Sequence, residues 1–168
     1  MQLYLPDSEA MELLGRRLAA SCPPLAAVYL QGDLGAGKST LARALLRALG
    51  VQGAIRSPTY TLVERYPIAG GEAWHLDLYR IGQAAELDFL GLDESEVRLW
   101  LVEWPEKADT GLPPPDLRVR LAVEGDGRRA EVASESSIGQ EWTRRLVSDV
   151  HLRDVHVQDI QEGSAGPR

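Results

Sequence analysis

Residues 26–40 read AAVYLQGDLGAGKST, and this stretch decides the fold. Ala26 to Gln31 is a short apolar run of β-type residues, the pattern of a buried parallel strand. Gly32-Asp33-Leu34-Gly35-Ala36-Gly37-Lys38-Ser39 follows and satisfies G-x-x-x-x-G-K-[ST]. Leu41, Leu45 and Leu49 then mark one helical face, with Ala42 and Leu46 alongside and Gly50 as a stop. A polyphosphate needs several donors converging on one point. Glycines at 32, 35 and 37 let the backbone curl so that its N–H groups face inward. A helix starting near Lys38 adds its positive end. The Lys38 ammonium reaches the β- and γ-phosphates, the Ser39 hydroxyl suits Mg²⁺, and Thr40 is placed for the α-phosphate. The stretch therefore predicts a strand, a phosphate-binding loop and a helix for Mg-ATP, with Asp33 to Thr40 as the contacts.

Working outward, Leu3 to Leu5 reads as a short strand. Asp7 or Ser8 offers an N-cap to a helix whose apolar face is Met11, Leu14 and Leu18, and Pro23-Pro24 ends it. After Pro58, Thr59, Thr61 and Val63 alternate with Tyr60, Leu62 and Glu64. This predicts a strand, paired through a Gly70-Gly71 turn with a second strand over 72–79. Gln83 to Leu90 is a short helix candidate, and Val97 to Val102 a buried strand. Leu117 to Val123 alternates, turns at Gly125-Asp126-Gly127 and pairs back over 128–133. Ile138, Trp142 and Leu146 form the stripe of a final helix. The expected fold is α/β: a single-domain P-loop NTPase with a mixed, mostly parallel central sheet and an antiparallel hairpin. Its domain spans 1–147, and the end from 148 to 168, closing QEGSAGPR, is expected to be disordered or weakly ordered.

Composition narrows the function classes. The 168 residues fit one domain, and 44% apolar content supplies its core. A net charge of −7 disfavours tight binding to bare nucleic acid. The single cysteine, Cys22, has no internal partner, which fits a reducing compartment. The opening MQLYLPDSEA lacks the charged-then-apolar pattern of a leader, and no run has the length of a membrane span. A cytoplasmic, membrane-free protein is expected.

A phosphate loop also needs a carboxylate for its metal, usually at the end of a neighbouring buried strand. Glu103 follows the apolar run Leu99-Trp100-Leu101-Val102 and is the first candidate. Asp77 is the second. It lies in Trp74-His75-Leu76-Asp77-Leu78-Tyr79-Arg80, where His75 and Asp77 share a face at period two. A satisfied structural role explains either of these two equally well. A Thr or Ser in the interval Ser57-Pro58-Thr59 senses the γ-phosphate in nucleotide switches, although the residues alone favour an ordinary proline turn.

GDLGAGKST, SPTYTLV, HLDLYR and LVEWPE, in this order and spacing, closely resemble the TsaE (YjeE) family. That family comprises bacterial ATPases of the tRNA threonylcarbamoyladenosine pathway. The likeness runs from about Leu3 to Leu146. It implies a P-loop α/β sandwich with a mixed sheet, partners of the TsaD and TsaB kinds, and ATP hydrolysis that is weak alone and promoted by them. The hydrolysis would support modification of the adenosine beside the anticodon, with tRNA reached through the complex. The resemblance further implies Mg²⁺ at Ser39 and Glu103, and ATP hydrolysis involving Asp77. Ser57-Pro58-Thr59 would be the switch, Trp104 would lie close to the nucleotide, and Ser8 and Arg128 would contact adenine. Lys38, Asp77 and Thr59 are thus the expected catalytic residues. Ser39 stands where the family more often has Thr, which keeps the hydroxyl, and the tail beyond Ser148 is longer than the family core requires.

Three rivals are weaker. A metabolite kinase needs an acceptor pocket and an arginine-bearing lid, and no lid-like insertion is visible between Leu49 and Val97. A signalling GTPase needs [NT]-K-x-D; the chain has no Asn, and Glu106-Lys107-Ala108-Asp109 matches only in its Lys and Asp. A non-enzymatic nucleotide sensor would bind ATP without turning it over.

Overall fold

The computed structural model describes residues 1–81, 97–108 and 110–148. The Gln83–Leu90 helix candidate, Asp109 and the tail beyond 148 lie outside the described residues. The elements are β1 (Gln2–Leu5), α1 (Ser8–Ala20), β2 (Ala26–Gln31), α2 (Lys38–Ala48), β3 (Val63–Ile68), β4 (Gly71–Asp77), β5 (Val97–Glu103), β6 (Leu117–Glu124), β7 (Gly127–Ser134) and α3 (Ser137–Ser148). The strands form one seven-stranded sheet in the order β1-β7-β6-β2-β5-β4-β3.

The middle of the sheet is parallel, with β6, β2, β5 and β4 running together. Both flanks are antiparallel, through β1–β7, β6–β7 and β3–β4. The mostly parallel expectation therefore holds at the centre and gives way to a hairpin on each side. The sequence explains the split. β2 and β5 are near-continuous apolar runs buried on both faces. β6 alternates buried with exposed positions, as a strand with one wet face does.

Each face of the sheet carries its own apolar cluster. On one, Leu99, Leu101 and Ala73 meet Leu14 and Leu18 of α1, Leu41 and Leu45 of α2, and Trp142 of α3. On the other, Trp74, Leu76, Trp100 and Val102 pack together. Ala73, Leu99 and Leu101 thus face the helices, past a register shift that leaves Val97 on the other face, and the alternation from there aims His75, Asp77 and Glu103 toward α2. Gly15 lets α1 and α2 approach closely: a Cβ there would lie 2.5 Å from that of Ala44.

Two expectations need correction. The strand expected from Thr59 starts at Val63 instead. Leu62 has a left-handed φ of 63° and donates its N–H to Pro58 O, closing a turn over 58–62. The Thr59/Thr61 alternation reflects side-chain contacts rather than a pleat. In α3, Ile138 is 44% exposed and Gly139 takes the inward place. Any Cβ at Gly139 would collide with Asp116 O, so the helix start is pressed against the β6 end with no room for a side chain. Among the described residues, no helix is long and apolar enough to cross a membrane.

Candidate functional site

The glycine-rich loop joins β2 to α2 at the carboxyl edge of the parallel strands, where open α/β sheets place ligands. Gly32 has φ 135°, and a Cβ there would lie 2.1 Å from Leu121 O. Gly37 is the N-cap of α2 at φ 106°, and α2 has no side-chain cap among the described residues. The first-turn N–H groups of α2 are therefore left for a ligand. Ala36 differs from its neighbours: its methyl is buried in the core and its N–H donates to Asp33 O.

Lys38 is 4% exposed. Its ammonium donates to Gly32 O at 2.6 Å and Asp33 O at 2.9 Å. It also lies 3.9 Å from the centroid of the Trp104 ring. Burial pulls its pKa below the ordinary lysine value, and the carboxylates of Glu103, Asp77, Glu106 and Asp33 partly oppose that shift. Trp104 reaches this position because its backbone is left-handed, φ 58° and ψ 47°, where β5 gives way to a 3-10 turn at Pro105–Lys107. Tyr79 packs against its ring at 4.9 Å.

Glu103 ends β5 and is 1% exposed. Ser39 Oγ donates to its Oε2 at 2.9 Å, and His75 Nε2 meets its Oε1 at 2.8 Å. Asp77 stands opposite Glu103 in the β4–β5 register and is also buried. Thr59 Oγ1 donates to Asp77 Oδ2 at 2.8 Å, and Tyr79 N donates to Oδ1 at 3.0 Å. Ser57 Oγ bonds Thr59 Oγ1 at 2.8 Å. The turn over 58–62 is thereby tied to the strand end.

A cleft opens over this group, lined by Leu34, Gly35, Gly37 and Thr40 on one side and Thr59, Asp77, Glu103 and Trp104 on the other. A second cleft adjoins it and shares Gly35, Gly37 and Thr40. Ser8 and Arg128 line that second cleft, and Arg128 Nη2 donates to Gly35 O at 3.3 Å. The first cleft carries the carboxylates of Asp77 and Glu103, and the second mixes apolar Leu5, Pro6 and Met11 with Asp7, Asp126 and Arg128. Asp33 lines neither cleft; its carbonyl accepts from Lys38 and Ala36, and its carboxylate acts on Lys38 only through its charge. The site thus brings together Lys38, Ser39, Thr59, Asp77, Glu103 and Trp104, with Ser8 and Arg128 lining the adjoining cleft.

Two residues of the site were not singled out as contacts from the sequence. Tyr79 lines the cleft, and its neighbour Trp104 comes from another strand end, a juxtaposition that no local pattern encodes. His75 did carry a signal, its shared face with Asp77, but its partner Glu103 is visible only in the sheet register. Among the described residues, no group of three or more His, Cys, Asp or Glu could hold a metal alone. One hydroxyl and one carboxylate do suit magnesium, which keeps several waters and shares its shell with phosphate oxygens.

Residues 5–131 match the family described as threonylcarbamoyl adenosine biosynthesis protein TsaE. The chain is 40% identical over 144 residues to the tRNA threonylcarbamoyladenosine biosynthesis protein TsaE of Haemophilus influenzae, covering 82% of this chain and 91% of that one. It is 37% identical to its Streptomyces coelicolor counterpart, over 82% and 97% of the two chains. The Bacillus subtilis counterpart is 32% identical over 73% and 78%. The fold matches the crystal structure of Bacillus subtilis YdiB with a TM-score of 0.73, at 24% identity over 88% and 93% of the chains. The chain belongs to the TsaE family of tRNA threonylcarbamoyladenosine biosynthesis proteins.

Proposed function

We propose that the chain is a P-loop NTPase that binds Mg-ATP and hydrolyses it as a cytoplasmic subunit of the tRNA N6-threonylcarbamoyladenosine machinery. It works with TsaD and TsaB, and meets tRNA through them. The single observation that carries this reading is the convergence of Lys38, Ser39, Glu103, Asp77 and Thr59 on one cleft beside an uncapped helix N-terminus. The relatives' printed names support the pathway. The chain's charge of −7 supports contact with tRNA through partners rather than directly.

In this reading the free amides of the loop and α2 cradle the triphosphate. Lys38 leaves its two carbonyls for the β- and γ-phosphates. Ser39 and Glu103 would hold the magnesium ion, which when bound neutralises phosphate charge. Asp77 and Thr59 orient the attacking water in line with the γ-phosphate. The base lies toward Ser8 and Arg128. Loss of the γ-phosphate frees the Ser57–Thr59 turn, and that change alters the grip on the partner.

Phosphate release tests it, measured for the chain alone and with its TsaD and TsaB partners. Turnover should be slow alone and rise with them. Lys38→Ala and Asp77→Ala should each lose about 100-fold or more, the scale for removing a transition-state contact. Wild-type turnover in Asp77→Ala would rule out that role.

A further inference from the structure

His75 is a fully buried imidazole to which the reading above gives no task. It lies inside β4, beside Leu101 in the register and one pleat before Asp77. Its Nε2 is 2.8 Å from Glu103 Oε1. An ionised carboxylate oxygen only accepts, so toward a Glu103 carboxylate the ring nitrogen Nε2 is the donor. The other ring nitrogen, Nδ1, is buried and has no hydrogen-bond partner among the described residues.

Packing alone does not account for this side chain. A buried polar atom without a partner is a cost. A leucine, as at the neighbouring Leu76 and Leu101, would fill the space without one. The compensation lies at Glu103, whose two oxygens each have a single partner among the described residues: Oε1 has His75 and Oε2 has Ser39. Without His75, a carboxylate at 1% exposure would lose one of its two anchors and turn about its last torsion.

We propose that His75 is a positioning residue for the magnesium-bearing side of the site. By holding Oε1 it aims Oε2 of Glu103 at Ser39, the pair that would receive the ion of a Mg-nucleotide. The inference rests on the nucleotide reading above and deepens it. Histidines and carboxylates paired in this way orient metal ligands, and losing the partner costs roughly 10- to 100-fold in metal affinity.

The test compares ADP affinity of the full chain in EDTA and in magnesium, by calorimetry, for wild type, His75→Leu and His75→Gln. The quantity read is the magnesium-dependent gain, Kd in EDTA over Kd in magnesium. His75→Leu should lose about tenfold or more of that gain while its EDTA affinity stays within about twofold. His75→Gln, whose amide N–H can still reach Oε1, should recover most of it. A full gain in folded His75→Leu would overturn the proposal. Absence of ADP binding by the wild type would overturn the nucleotide reading itself, and this inference with it. Should His75→Leu not fold, ¹⁵N NMR of the wild-type imidazoles decides. The His75 ring should be the Nε2–H tautomer, and its signal should move when magnesium is added to the ADP-bound chain. An Nδ1–H tautomer, or a signal indifferent to magnesium, would overturn the proposal.

Discussion

Ser39 and Glu103, 64 residues apart, meet through a 2.9 Å hydrogen bond from the first turn of α2 to the last residue of β5. The contact joins the helix that follows the glycine-rich loop to the carboxyl edge of the central strands. Among the described residues, that hydroxyl is also the one partner of this carboxylate oxygen, which is almost fully buried. Ser39→Ala should therefore lower the stability of the nucleotide-free chain by about 1–3 kcal/mol, the cost of a buried acceptor without its donor. It should weaken magnesium-dependent nucleotide binding by roughly tenfold. Ser39→Thr should restore both, since it keeps the hydroxyl. Urea unfolding and calorimetry measure the two effects.

Lys38 gives a pH-dependent prediction. Burial holds its folded-state pKa below the unfolded value of 10.5. In the window between the two values the unfolded chain binds the extra proton, so stability rises with pH there. Below the folded pKa both states carry the charge, and the burial cost is present in full. Above 10.5 neither does, and the cost is gone. Lys38→Met removes this dependence. The difference in unfolding free energy between Lys38→Met and wild type should favour the variant most near pH 7 and shrink toward pH 10.5, as read by urea denaturation. A difference that grows with pH would contradict the sign.

Thr59 ties the turn over 58–62 to Asp77 through a 2.8 Å bond. Thr59→Val is nearly isosteric and should fold. It should lower kcat for ATP by roughly 10- to 100-fold, with a smaller change in KM, if the hydroxyl helps to place water. Unchanged kcat would reduce Thr59 to a turn residue.

Cys22 should be chemically quiet. Burial, with a smaller contribution from the Asp116 charge, pushes its thiol from 9.0 up to about 12. At pH 8 that leaves roughly a thousandth of the thiolate of a free cysteine. Alkylation by iodoacetamide should be slower than in the urea-unfolded chain by roughly tenfold or more, since the greater nucleophilicity of a higher-pKa thiolate offsets part of the loss. Comparable rates in the two states would show that the thiol is open to solvent.

Much of the fold was legible because it depends on local pattern. The loop motif, the apolar runs of β2 and β5 and the stripes of α1 and α2 each follow from side-chain period and turn chemistry. Glu103 could be named because it follows an apolar strand run, and Asp77 because it shares a face with His75 at period two. The errors arose where tertiary contact overrode the pattern. Thr59 alternates like a strand residue, yet its hydroxyl is claimed by Asp77, and Leu62 turns left-handed to allow it. Ile138 fits the α3 stripe, yet Asp116 O presses on Gly139 and turns Ile138 outward. The packing of Lys38 on Trp104 joins the start of α2 to the end of β5, which no local pattern links.

The most direct measurement is calorimetric titration of the wild-type chain with ATP in magnesium, beside Lys38→Ala. The account predicts saturable one-to-one binding below about 1 mM for the wild type, weakened at least tenfold by loss of the ammonium. Failure of ATP and ADP to associate with the wild type at millimolar concentration would contradict it.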